Sequence, residues 1–228
     1  MTQIAWIEKI RDLSSIFGGN FIEFETASLS DFNPTIARVS QGVNREMAER
    51  AHKEVIKSHI LDTTSQEYRM KHFQIIRPMS NNLNFFSITD EKVQVLKKLV
   101  NRCLNEYLRI YKKEYRLNRP NRIHSWTLAY REIFASAFHI HHYNSMNIAG
   151  IYYAAGDFSM GNGDLTIVPD SKNPNLSISY VPAVGKLILF PANRPHATGS
   201  YLGTNIRVSI AFDIWFKGIE NRKFIPLK

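Results

Sequence analysis

From Pro120 onward, short runs rich in Ile, Val, Tyr, Phe and Thr alternate with Gly, Pro, Asn and Asp punctuation at intervals of about ten residues. This texture constrains the fold more than any other feature, because it is the mark of an antiparallel sandwich or barrel. Strands are expected near Ile123–Arg131, Ala137–Tyr143, Asn147–Ala155, Asp164–Val168, Leu176–Tyr180, Lys186–Phe190 and Asn205–Phe216. The Met160-Gly161-Asn162-Gly163 turn has the chemistry of positive φ, and Val184-Gly185 with Pro191-Ala192-Asn193 bracket a short apolar strand. The expected fold class is α+β: a double-stranded β-helix, or jelly roll, over 121–217. Residues 1–120 would form a helical buttress, the whole of 1–228 making one domain.

In the first half, apolar positions three and four residues apart predict helices over Gln3–Ile16, over Gln41–Leu61, and from Thr89 or Asp90 through the basic stretch that Leu117–Asn121 stops. His72–Arg77 and Leu83–Ile88 read as short strands around a Ser80-Asn81-Asn82 turn. Of the formal net charge of +9, the segment Lys92–Arg122 supplies +8, ten Lys and Arg against Glu106 and Glu114. Residues 123–216 are neutral. A basic amphipathic helix is most simply a solvated face whose cations complement the helix dipole. It is also a surface, over 92–119, that an acidic carrier protein could dock on. Its regular amphipathic pattern argues against nucleic acid. The single Cys103 excludes an intrachain disulfide framework and a multi-cysteine zinc site. With no signal-peptide pattern and no apolar run of about 20 residues, the expectation is a cytoplasmic protein without a membrane segment.

The chemistry-bearing residues lie in the β-rich half. In FHIHHYNS, a strand would put His139 and His141 on one face and His142 on the other, so that the first two reach one metal ion. His196 follows the apolar strand of GKLILFPANRPHATG, where a jelly roll returns the chain beside them. In NIRVSIAFDIWF, Ile206, Val208, Ile210 and Phe212 share one face while Arg207, Ser209 and Ala211 share the other. A buried guanidinium requires an anion; Arg207 with the Ser209 hydroxyl suits a carboxylate, and a salt bridge to Asp157, Asp164 or Asp170 is the alternative. Trp126, Phe134, Phe138, Met146 and Trp215 are open between pocket wall and core.

These elements together resemble the Fe(II)- and 2-oxoglutarate-dependent oxygenases. The block from Trp126 to Phe216 carries, in order, His139-Ile140-His141, Ala149-Gly150-Ile151-Tyr152-Tyr153, Leu189-Phe190-Pro191, His196 and Arg207-Val208-Ser209. The resemblance implies Fe(II) held by His139, His141 and His196, and 2-oxoglutarate held through its distal carboxylate by Arg207 and Ser209. Tyr152 or Tyr153 would stand near the cosubstrate; alternation admits one of them, and Tyr153 is the candidate. It further implies consumption of O₂ with release of succinate and CO₂, and hydroxylation of a C–H bond on a small molecule, an amino acid or a carrier- or peptide-borne residue.

Two departures stand out. His141 occupies the place where the family's usual facial triad has a carboxylate, so it is either a third ligand or a hydrogen-bond donor behind the ligands. Counting back from Gly150 rather than forward from Trp126 would make His141 and Tyr143 the pair instead of His139 and His141.

Two other classes fit parts of the pattern. Gly185 to His196 resembles the second cupin motif, although Asn144 and Ser145 stand where the first cupin motif has Glu. A non-enzymatic basic binding module is the other. Binding of 2-oxoglutarate separates an oxygenase from a cupin, and salt-dependent nucleic-acid binding lost on neutralising Lys97, Lys98, Arg102 and Arg109 would favour the module.

Overall fold

The computed structural model describes residues 6–27, 32–43, 84–111, 120–130, 136, 138–141, 145–169 and 176–216. Its centre is a six-stranded sheet in the order β1-β2-β7-β4-β9-β3, antiparallel at every pairing. The strands are β1 Trp6–Asp12, β2 Ile22–Ala27, β3 Pro120–Tyr130, β4 Ile148–Ala155, β7 Lys186–Pro191 and β9 Arg207–Phe216. A smaller antiparallel sheet, β6-β5-β8, is made of β5 Leu165–Ile167, β6 Ile178–Tyr180 and β8 His196–Thr198.

Strand alternation gives the large sheet two dry faces. On one face Ile22, Phe24, Ile148, Tyr152, Leu187, Leu189, Val208, Ile210, Phe212 and Ile214 pack against helices. On the other, Ala149, Ile151, Tyr153, Ile188 and Phe190 meet Leu165, Ile167 and Tyr180 of the small sheet. Burial on both faces explains why β4, β7 and β9 read as nearly continuous apolar runs. Gly150, in the middle of β4, is required by close approach: a Cβ there would overlap the Phe212 ring and the Leu189 side chain. The turn before β5 has Gly161 and Gly163 at φ 75° and 70°, as its sequence demands.

The helices are a four-residue turn α1, Ser14–Phe17, then α2 over 32–43, and α3, Glu91–Ile110. Asp90 caps α3, its carboxylate accepting from the Lys92 and Val93 amides at 2.9 and 3.4 Å. Val93, Leu96, Leu99, Val100, Cys103, Leu104 and Tyr107 form the buried stripe. The C-terminal end of α3 is clamped to the N-terminal segment by Tyr107 Oη donating to the Asn20 carbonyl at 2.8 Å and by the Ser14 and Tyr111 hydroxyls at 2.6 Å. The two sheets are tied by Tyr180 Oη donating to Glu23 Oε2 at 2.6 Å, while Lys186 and Arg11 neutralise the buried Glu23.

The first half differs from its expectation in three places. The segment expected as a helix over Gln3–Ile16 is instead edge strand β1 followed by α1: pairing with β2 and the Arg11 ion pairs to Glu23 and Glu25 override its helix-like spacing. Within Leu83–Ile88 the chain makes a 3₁₀ turn, Phe85–Ser87, not a strand, because the Asn84 side chain accepts from the Phe86 amide while bonding the β3 backbone. The buttress is therefore part sheet, contributing β1 and β2, rather than helical throughout. The helix expected over Gln41–Leu61 is met only in 41–43, its remainder lying outside the described residues, as do His72–Arg77. In the second half every expected strand but one is present within a few residues, and β8 is added.

No helix among the described residues is long and apolar enough to cross a membrane. Leu96→Ala, which empties a fully buried position between α3 and the sheet, should cost about 3 kcal/mol in urea unfolding. Asp90→Ala should cost about 1 kcal/mol.

Candidate metal centre

The exception among the strands is Ala137–Tyr143. Its described residues form no regular strand, only an isolated antiparallel bridge of His139 with His196. Two reciprocal backbone bonds make that bridge, each residue's amide donating to the other's carbonyl at 3.0 Å. Beyond it the ladder ends, since the His141 amide turns to the Ala192 carbonyl at 2.9 Å. The bridge places His139 directly opposite His196, and the two-residue spacing carries His141 to the same place. One ring nitrogen from each of the three lies within 4.8 Å of the other two. His139 and His141 thus meet His196; His142 and Tyr143, the latter a member of the other count, lie outside the described residues.

Each orientation has a cause. His196 is buried at 3% exposure, and its Nδ1 donates to the Arg194 carbonyl at 2.9 Å, leaving the Nε2 lone pair for the site. Burial first, then the neighbouring His139 and His141, holds its imidazole well below the ordinary value, so it stays neutral, the form that ligates metals. The His141 Nδ1 meets Asp213 Oδ1 at 2.5 Å, and its Nε2 lies 3.2 Å from His139 Nε2. Two nitrogens each about 2.1 Å from one ion, at right angles, would stand about 3 Å apart, so this spacing fits a shared metal. The Phe190 ring lies edge-on to His196 at 5.0 Å, and Trp126 lies 5.4 Å from the His141 ring, bounding the centre with aromatic surface.

Arg207 points to the same side of the large sheet. It is 1% exposed, its Nη1 donates to Ser209 Oγ at 3.0 Å, and its guanidinium lies 5.6 Å from the Tyr153 ring and 5.7 Å from that of Phe158. Of the two tyrosines, Tyr153 therefore faces Arg207, whereas Tyr152 turns to the helical side, where its hydroxyl donates to Asn33 Oδ1. Asp157, one of the salt-bridge alternatives for Arg207, accepts instead from the Thr204 hydroxyl and both Asn205 donors. Gly163, at φ 70°, lets the turn before β5 lie against Arg207: a Cβ there would be 3.3 Å from Nε.

Sequence reasoning missed Asp213. The signal was available, because the alternation that groups Arg207, Ser209 and Ala211 reaches Asp213 two residues later, a carboxylate in an otherwise apolar run. Sequence also overlooked His124, whose ring is stacked on Trp215 with centroids 6.5 Å apart and tilted against Trp126 at 5.8 Å.

The fold as a whole is similar to that of two solved structures. A structure of AviO1 from Streptomyces viridochromogenes Tue57 matches with a TM-score of 0.51 at 8% identity, covering 89% of this chain and 92% of its own. A prolyl hydroxylase from Trichoplax adhaerens, solved in complex with a hypoxia inducible factor oxygen degradation domain peptide fragment, matches with a TM-score of 0.50 at 12% identity, covering 89% and 86%. At these identities the likeness is one of fold. No family model and no curated protein sequence matches the chain. The likeness in fold to AviO1 and to a prolyl hydroxylase stands beside the motif resemblance and the three-histidine group.

His196→Ala should weaken Co(II) binding at least ~100-fold by equilibrium dialysis, whereas His124→Ala, which removes a ring outside the triad, should leave it within about twofold.

Proposed function

We propose that this protein is an Fe(II)- and 2-oxoglutarate-dependent oxygenase whose two sheets are the halves of a jelly roll, and that it hydroxylates a C–H bond. The observation that carries this reading is the joint placement of three converging imidazoles and a buried arginine on one side of one sheet. His139, His141 and His196 would hold Fe(II), and neutral imidazole is a donor that ferrous iron accepts. Iron and 2-oxoglutarate together would supply the oxidising chemistry: O₂ is consumed, one oxygen atom enters succinate as CO₂ leaves, and the other enters the substrate.

What the chain contributes is position and shielding. Between Asp213, behind His141, and Arg207, the inner face of β9 carries only the small side chains of Ala211 and Ser209, beside which the cosubstrate would lie. The Arg207 fork and the Ser209 hydroxyl would bind its distal carboxylate, and the Tyr153 ring would wall that pocket. Buried among aromatic rings, the guanidinium gains far more from a carboxylate than it would in water. Trp126, half-buried beside His141, would border the substrate side. The substrate is a small molecule, an amino acid, or a residue presented on a peptide or carrier.

Arg207→Lys keeps the charge but loses the two-pronged geometry, and should weaken 2-oxoglutarate binding at least ~30-fold by calorimetry in the presence of metal, with Co(II) affinity unchanged. Ser209→Ala should cost about five- to tenfold. Wild-type 2-oxoglutarate affinity in Arg207→Lys would remove Arg207 from the cosubstrate site. Succinate release across a metabolite library, with and without O₂, identifies the substrate.

A further inference from the structure

The Asp213 carboxylate is in direct contact with the histidine group, and it stands outside the set that converges. It projects from β9 beside Ala149 of β4 and His124 of β3, and its oxygen lies 2.5 Å from His141 Nδ1, with the two side chains 12% and 8% exposed. A hydrogen bond that short between a ring N–H and a carboxylate fixes both the ring plane and the tautomer: Nδ1 carries the proton, and the lone pair is on Nε2, the atom facing His139.

The charge balance gives this contact its meaning. A facial set of two imidazoles and one carboxylate brings one negative charge to a divalent ion, while three neutral imidazoles bring none. Here the position that would hold the carboxylate is His141, and a carboxylate sits immediately behind it. We propose that Asp213 is the positioning residue of the metal centre, holding His141 with Nε2 turned inward and returning, one imidazole ring removed, the negative charge that the three-histidine set lacks. The inference rests on the metal-centre reading above. It accounts for an aspartate on a strand buried on both faces, where an unpaired carboxylate would be strongly destabilising.

The test is a double-mutant cycle read by Co(II) titration through the visible absorption of the bound ion. Asp213→Asn keeps an oxygen that accepts from Nδ1 but removes the charge, and should weaken Co(II) binding 10- to 100-fold. In a His141→Asp background the ligand position has its own carboxylate, so adding Asp213→Asn should change affinity by less than about threefold. Equal losses in both backgrounds would mean that Asp213 supports the fold generally, and would overturn the proposal. So would an unchanged affinity in Asp213→Asn alone, with the metal centre itself left standing. Failure of the wild-type chain to bind Co(II) would instead remove the metal centre, and this role with it. A measurement that needs no variant is the nitrogen NMR spectrum of the Zn(II)-loaded wild type. His141 should appear protonated at Nδ1 and metal-shifted at Nε2, and metal on Nδ1 would refute the assignment.

Discussion

Strand β9 is buried along almost its whole length on both faces, and its register decides everything that happens on either side of the large sheet. Val208, Ile210, Phe212 and Ile214 belong to the helical core, while Arg207, Ser209, Ala211 and Asp213 face the histidines. A slip of one residue would exchange these sets, driving a guanidinium and a carboxylate among Leu96, Val100 and Tyr107. That exchange is prevented from both edges, because β3 pairs with β9 through ten residues and β4 through seven. The Phe212 ring lying over Gly150 adds a lock that tolerates no other residue without rearrangement. The polar groups of the site are thus held in place by apolar packing on the opposite face.

The histidines themselves are on less regular backbone. His139 and His141 come from a segment whose described residues form an isolated two-bond bridge and a further backbone bond from His141, and His196 begins a three-residue strand. Their convergence is specified by side-chain partners more than by the ladder: the Arg194 carbonyl for His196 and the Asp213 carboxylate for His141. The small sheet brings the residues near one another, and these hydrogen bonds aim them. Division of labour between rigid sheet and hydrogen-bonded loop is common where a site needs both a fixed frame and exact ring orientation.

The second half of the chain was largely legible because strands buried on both faces are written as apolar runs with sharp Gly, Pro and Asn boundaries. His139, His141, His196, Arg207 and Ser209 could be picked out because polar residues at fixed spacing are costly in such a setting unless something binds them. The first half was misread where local spacing imitates a helix: Ile7, Ile10 and Leu13 recur every three residues, yet β1 exists because β2 offers it a ladder and acidic partners for Arg11. Nothing local reports that partner. Asp213 was hidden for a different reason, since its role depends on a histidine 72 residues away in sequence. The 3₁₀ turn at Phe85–Ser87 likewise depends on Asn84 reaching the backbone of β3, a contact that no pattern within Leu83–Ile88 encodes.

Helix α3, which carries five of the chain's basic residues, packs on the face of the large sheet away from the three histidines. Side-chain layers on the two faces of a sheet are separated by its backbone, and a packed layer is about 10 Å thick. The sheet is therefore an insulating wall between α3 and the three histidines. Anything bound on the exposed side of α3 would have no straight path to the three histidines, and a group on it would have to pass around an outer strand to reach them.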